Sequence, residues 1–158
     1  MTDFVDLAFI QTEEGYFDFD IKDGDFVTTQ GFDSALLMSF FCNKRATASE
    51  VGAPQNRRGW WGNEALDFDN YNIGSKMWLL EQSRNNQQTL NDAKTYMEDS
   101  LAWMLQDGFL DNTNVTTEYK NIGHEPVMEI NVDLIRFQNS VESRGFRIWQ
   151  NTSKVDVI

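Results

Sequence analysis

"VMEINVDLIRF", residues 127–137, is the stretch whose reading decides the fold. Met128, Ile130, Val132 and Leu134 alternate with Glu129, Asn131 and Asp133. Successive side chains of an extended chain point to opposite faces, so the pattern is that of a strand with one apolar and one polar face. "NVTTEYKNI" (114–122) precedes it, and "GFRIWQ" (145–150) follows a polar turn. Both read as further strands. His124, the single histidine, stands beside Glu125 and Pro126 in the turn between the first two.

Upstream the apolar period lengthens. In "TLNDAKTYMEDSLAWMLQDG" (89–108), Leu90, Ala93, Met97, Leu101 and Met104 step by three or four, which makes one apolar stripe on a helix. Thr89 is placed to cap its start, and Gly108 to end it in the left-handed conformation. A second, central helix is expected from Asp33, whose carboxylate would cap the first turn. Ala35 to Phe41 is apolar on almost every side. Lys44 and Arg45 would then lie near the negative end of that helix's dipole. "KMWLLEQS" (76–83) reads as a short helix capped by Ser75, and residues 46–74 read as loop, with Pro54 among them. At the N-terminus "DLAFIQ", "GYFDFDI" and "DFVTTQ" read as short strands, with Phe17 and Phe19 half-buried and with turns at Gly15 and at Asp23-Gly24. Strands, then helices, then strands predict an α+β fold with a mainly antiparallel C-terminal sheet. One domain is expected over 1–158: acidic N-terminal strands (1–30), a helical part with a tryptophan-rich loop (31–108) and C-terminal strands (112–158). The helical part would hold two main helices and one short one.

A chain of 158 residues, 41% hydrophobic and 13% aromatic, is long enough to bury a core without metals or disulfides. Its one cysteine, Cys42, has no partner within the chain and reads as a buried, inert thiol. Net charge is −12 and the pI is near 4.3. Such a surface repels phosphate backbones, so no nucleic-acid partner is expected, whereas a basic protein surface would suit it. The first 25 residues hold eight acids against one base, Lys22. No apolar run approaches the roughly 20 residues of a membrane span. Asp3 and Asp6 stand where a signal peptide would carry its basic region, so neither membrane nor export is expected.

Chemistry-bearing patterns are sparse. The sequence contains no Cys-x-x-Cys, no phosphate-binding glycine loop and no His-Glu-x-x-His. Asp18, Asp20, Asp23 and Asp25 lack the twelfth-position glutamate of a calcium loop. No metal or cofactor is expected. Twenty-five acids make a pair at glycosidase spacing uninformative. Glu64, beside two indoles that could desolvate it, is the one carboxyl that stands out as a possible acid catalyst. It lies in "RRGWWGNEALDF" (57–68), which leaves three readings open. The tryptophans could close one end of the core, with flanking glycines letting the backbone bend against the rings. They could anchor a protein partner, since tryptophan and arginine are enriched at interface hot spots. They could stack a sugar.

The chain resembles the Mu-like phage tail protein family, a baseplate wedge component of contractile tails, from about Asp6 to about Phe109 and more weakly through the C-terminal strands. The resemblance is carried by "DGDFVTTQGFDSALLMSFFCNKRA", "RRGWWGN" and "GSKMWLLEQSRNNQQTLNDAKTYMEDSLAWMLQDG". Arg45-Ala46, Arg57 to Gly62, Gly74-Ser75, Trp78-Leu79 and Asp107-Gly108 fill the family's positions, while Cys42-Asn43 replaces a Thr-Asp type of pair. The resemblance implies a likeness to the small wedge protein of T-even phages, once labelled lysozyme-like and regarded as a structural subunit. That protein is similar to the strand-exchanging domain of the tail sheath and starts sheath polymerisation. By the same resemblance this chain would have a structural role in the virion tail baseplate, after assembly in the host cytoplasm. Its partners would be other wedge proteins, the sheath protein and the tail tube, with six copies implied by the symmetry of such tails. The expected interface residues are Arg57, Arg58, Trp60, Trp61, Glu64, Glu125 and Pro126, and the C-terminal strands would offer backbone groups to a sheath strand. A peptidoglycan-cleaving enzyme is the alternative.

Overall fold

A computed structural model describes residues 5–14, 16–30, 32–52, 57–65, 72–137, 140–149 and 154–158. Gly15 and Pro54, and the side chain of Glu64, lie outside what is described.

The alternating stretch is the second strand of a four-stranded antiparallel sheet. Strand β7 (Asn112–Ile122), β8 (Glu125–Arg136), β9 (Ser140–Trp149) and β10 (Lys154–Val157) lie in the order β10-β9-β8-β7. Strands β7 and β8 pair over eleven rungs, from Asn112 opposite Ile135 to Ile122 opposite Glu125. Their turn is Gly123-His124, and Gly123 has φ +65°, the sign that a two-residue hairpin with glycine first requires. Helix α4 (Gln87–Gln106) packs its stripe of Leu90, Ala93, Met97, Leu101 and Met104 against Val115, Met128, Ile130, Val132 and Leu134. All ten are buried. This is the α+β arrangement expected from the periods, with the core where the two apolar faces meet.

One side of β8 departs from simple alternation. Val127 and Glu129, on the face away from α4, are buried as well. Lys120 Nζ lies 2.6 Å from one Glu129 carboxylate oxygen, and Arg147 Nε lies 3.2 Å from the other. The cations roof the acid and hold its pKa below the ordinary carboxylate value, Lys120 contributing most. The strand at 140–149 begins five residues before "GFRIWQ", within what reads as a polar turn. Strand β10 is too short for its alternation to register as a pattern.

Helix ends follow the expected positions with different groups. Asn86, not Thr89, caps α4: its side chain accepts from Thr89 N–H at 2.9 Å, and the Thr89 hydroxyl donates to Arg84 O. The far end closes as expected. Gly108 takes φ +74°, its N–H donates to Leu105 O, and Phe109 N–H donates to Met104 O. Helix α1 (Asp33–Phe41) does start at Asp33, yet that carboxylate pairs with Arg144 at 2.9 Å. The α1 N-terminus is served across space by Asp6, which accepts from Ala35 N–H at 3.3 Å. No cation lies in the last turn of α1. The chain turns extended at Cys42, so Lys44 and Arg45 run away from the dipole. The Cys42 thiol is half-buried, and burial raises its pKa. The stretch read as loop holds two single-turn helices, α2 (Ala48–Val51) and α3 (Gly62–Ala65). Helix α2 owes its existence to a local capping box: Glu50 accepts from Thr47 N–H at 2.7 Å. The short helix is a 3-10 turn, Met77–Leu80, and the Ser75 hydroxyl accepts from Met77 N–H at 3.3 Å.

The N-terminal strands are shorter than their sequence suggests. Six pieces, β1 (Val5–Leu7), β2 (Phe9–Gln11), β3 (Phe17–Phe19), β4 (Ile21–Lys22), β5 (Asp25–Phe26) and β6 (Thr28–Gln30), form three separate antiparallel pairs, β1 with β6, β2 with β3 and β4 with β5. The pairs meet at Ala8, Asp20 and Val27, whose backbones close a ring: Ala8 N–H donates to Val27 O, Val27 N–H to Asp20 O and Asp20 N–H to Ala8 O, each at 2.8 Å. Asp23 (φ +54°) and Gly24 (φ +86°) make the expected β4–β5 turn.

Candidate functional site

The tryptophan loop is held from several directions. Ala46, fully buried, donates its N–H to Arg57 O at 3.0 Å, and Arg57 Nε donates to Ala46 O at 2.5 Å. Arg58 occupies the left-handed region, φ +45°, uncommon for a residue with a Cβ. Its guanidinium makes two parallel bonds to Glu81, at 2.7 and 2.8 Å, and lies 4.8 Å from the centre of the Trp78 ring. The pair with Glu81 raises the arginine pKa further. Trp78 in turn donates its indole N–H to Lys44 O at 2.9 Å. Both arginines therefore direct their charged groups to partners within the chain.

The glycines of this region answer to close approaches. A Cβ on Gly62 would lie 2.2 Å from the Trp60 ring, so that ring folds back over its own loop. Gly74, φ +113°, lets the Cys42 carbonyl approach to where a Cβ would sit 2.5 Å away, and Ser75 N–H donates to that carbonyl at 2.9 Å. The two tryptophans then diverge. Trp60 is half-buried and Trp61 is 76% exposed, with ring centres 5.7 Å apart. Of the expected interface residues, Arg57, Arg58, Trp60 and Trp61 share this loop, and Glu64 stands on α3 just beyond it. Glu125 and Pro126 belong to a different element, the tip of the β7–β8 hairpin.

That tip projects. Strand β9 pairs with β8 only from Met128 onward, so Glu125 to Val127 have β7 alone beside them. Residues 120–126 are all exposed. The β7–β8 ladder runs through Pro126, which fits only with its ring nitrogen turned to the free side. Among the described residues, no strand pairs with the outer side of β7. The free side of this eleven-residue strand, where every second residue turns its backbone groups outward, is thereby open, and Asn112, Asn114, Thr116, Glu118 and Lys120 lie on the sheet's outer face.

Residue patterns missed one surface. Phe17 is half-buried and stacks on Phe41 at 5.5 Å, but Phe19 and Phe26 are exposed. Two grooves, of about 260 and about 400 Å³, flank Phe17 where the N-terminal strands meet the body. The signal was present: each of these phenylalanines is followed or preceded by an aspartate in strands too short to bury both sides.

No described residue group gathers three metal-ligating side chains. The molecule presents an antiparallel sheet with a long open edge, a braced loop carrying an exposed indole, and an acidic strand unit with exposed rings. These features define a class, an α+β module equipped for contact with other chains. Sequence comparison is more particular. Residues 32–141 match the family described as Phage protein GP46, and the chain belongs to that family. It is similar to "Baseplate protein gp46" of Escherichia phage Mu, 32% identical over 105 residues, covering 65% of this chain and 70% of that protein. It is also similar to "Mu-like prophage FluMu protein gp46" of Haemophilus influenzae (strain ATCC 51907 / DSM 11121 / KW20 / Rd), 26% identical over 114 residues, 72% of this chain and 75% of that one.

Proposed function

We propose that this chain is a structural, non-catalytic subunit of a phage tail baseplate, placed in the wedge of a contractile tail, where it joins wedge neighbours to the sheath and starts sheath assembly. The observation that carries the reading is the outer edge of β7. A strand added there satisfies a row of N–H and C=O groups at once, which gives affinity without a pocket. Pro126 withholds a donor on the opposite side of the same ribbon, so incoming strands are directed to β7. The family membership and the name of the phage Mu relative support a baseplate setting. The exposed Trp61, with Glu125 and Pro126 at the hairpin tip, serves in this reading as a contact to wedge neighbours, while Arg57, Arg58 and Trp60 shape the loop that presents it. Six copies around the tail tube and assembly in the host cytoplasm belong to the same reading.

A glycoside-cleaving alternative needs a carboxylic acid held protonated near neutrality. Glu50 and Glu129 move the other way, both lowered by cations and hydrogen bonds. These two acids are therefore unsuited to that role, and the side chain of Glu64 lies outside what is described. The edge is tested with proline placed at Thr116 and, separately, at Thr117. Adjacent strand residues point their N–H groups to opposite sides, so one substitution breaks the β8 ladder and the other only the open edge. The variant that keeps the wild-type melting temperature should enter tails yet fail to order the sheath. A normal sheath on tails carrying it would refute strand addition at β7.

A further inference from the structure

The N-terminal strand unit carries an aromatic ridge that begins in the core and ends in solvent. Phe41 packs on Phe146 at 5.4 Å and on Phe17 at 5.5 Å. Two residues further along β3, the Phe19 ring stacks on Phe9 at 4.6 Å and meets Phe26 edge-on at 5.5 Å. Ile21 is the cross-strand partner of Phe26 and so shares its face. Exposure rises outward along this line: 40% for Phe19, 51% for Phe26 and 61% for Ile21. Asp18, Asp20, Asp23 and Asp25 belong to the same short strands and turns, with Lys22 the only base among them. Among the described residues no cation makes an ion pair with any of these four carboxylates. Several charged side chains of the C-terminal sheet differ in this respect: Glu118, Lys120, Glu129, Arg147, Lys154 and Asp156 take part in ion pairs there.

Exposed rings favour burial, and these carboxylates, of which Asp18 and Asp25 accept only the N–H of Phe19 and Phe26 at 2.8 Å among the described residues, decide against which surface. A second copy of a chain with net charge −12 would bring like charges together, and phosphate-bearing surfaces would be repelled in the same way. We propose that the Phe9–Phe19–Phe26–Ile21 ridge is a docking surface for a lysine- or arginine-rich segment of a neighbouring protein. That segment would seat an apolar side chain on the rings while its cations meet Asp18, Asp20, Asp23 and Asp25. The neighbour's being a tail protein rests on the function proposed above; the chemistry of the surface does not.

The test has two arms. In the first, the full chain is titrated with an amphipathic leucine–lysine peptide, by calorimetry and by the fluorescence of added dye-labelled peptide. Phe26→Ser, and the set Asp18→Asn, Asp20→Asn, Asp23→Asn, Asp25→Asn, should each weaken binding about tenfold or more. A set with the same loss of charge elsewhere, Asp92→Asn, Asp99→Asn, Asp107→Asn, Asp111→Asn, should weaken it far less. Equal weakening by both charge sets would mean that only net charge is sensed, and would overturn the proposal. So would wild-type self-association abolished by Phe26→Ser. In the second arm, a photo-crosslinker replaces Ile21 and the chain is added to purified tail particles assembled without it. Crosslinks should fall in a partner segment of net positive charge, and an acidic or neutral segment would overturn the docking chemistry. If the chain does not enter the particles while the peptide result holds, the assembly reading fails and the surface stands. If it enters, and the ridge variants enter equally at every salt concentration, the surface fails and the assembly reading stands.

Discussion

The N-terminal strands and the C-terminal sheet are both antiparallel, and they hold their shape by different means. The sheet has three strands of ten to twelve residues and a short fourth, a continuous register and an apolar face sealed by α4. The N-terminal unit has strands of two or three residues, and none of its described residues is buried. Its order comes from the three-way ring of backbone bonds at Ala8, Asp20 and Val27, from Asp6 at the α1 N-terminus and from Phe17 against Phe41. Pairing over many rungs on a dry face is cooperative and tolerates a polar outer face. A unit joined through so few contacts leaves Phe19, Ile21 and Phe26 exposed. The contrast also separates the two modes of contact proposed above: backbone groups at the β7 edge, side chains at the ridge.

The largest break should come from the dry face. Leu101→Ala opens a cavity beneath β8 and should lower unfolding free energy by about 2–5 kcal/mol in denaturant titration. Gly74→Ala, at φ +113° and facing the Cys42 carbonyl, should cost about 1–3 kcal/mol and loosen the tryptophan loop, read from Trp60 and Trp61 fluorescence. Loss of the α4 cap in Asn86→Ala should cost about 1 kcal/mol without changing the sheet. A smaller effect is expected at Glu50, whose pKa falls from 4.5 to about 2 through Lys76 first and then Thr47 N–H. The folded value lies below the unfolded one, so this contribution is complete above pH 4.5 and is lost as pH falls through about 2. Glu50→Gln should flatten the dependence of melting temperature on pH in that window; an unchanged slope would show that the capping box contributes no acid sensitivity. The smallest change in stability is expected for Phe26→Ser, within about 0.5 kcal/mol. A loss comparable to Leu101→Ala would place the ridge in the core and erase the contrast.

Legibility in the sequence divided along the same line. The α4 stripe, the β8 alternation, Gly108 and the Asp23-Gly24 turn were readable because each depends on neighbours within a few residues. The capping groups were less so. Thr89 and Asp33 sit at plausible cap positions, but Asn86 lies three residues before Thr89 and Asp6 arrives from another strand. Glu129 reads as a solvent-facing acid, and it is buried because Lys120 and Arg147 come from the strands on either side. In the tryptophan loop the sequence left core and interface open. Unequal exposure of Trp60 and Trp61 results from the Trp60 ring closing over Gly62, a contact two residues away whose direction no periodicity states.

By itself the sequence determined the α+β class, the position of the main helix and the sheet, the acidic balance and the family, since local period and composition act through near neighbours and the net charge is a sum over residues. Only the tertiary structure decided that β7 has no strand on its outer side among the described residues, that Arg57 and Arg58 bind groups of their own chain, and that the N-terminal rings run from core to solvent. Edge, burial and charge pairing are set by residues far apart in the chain, and the folded arrangement brings them together.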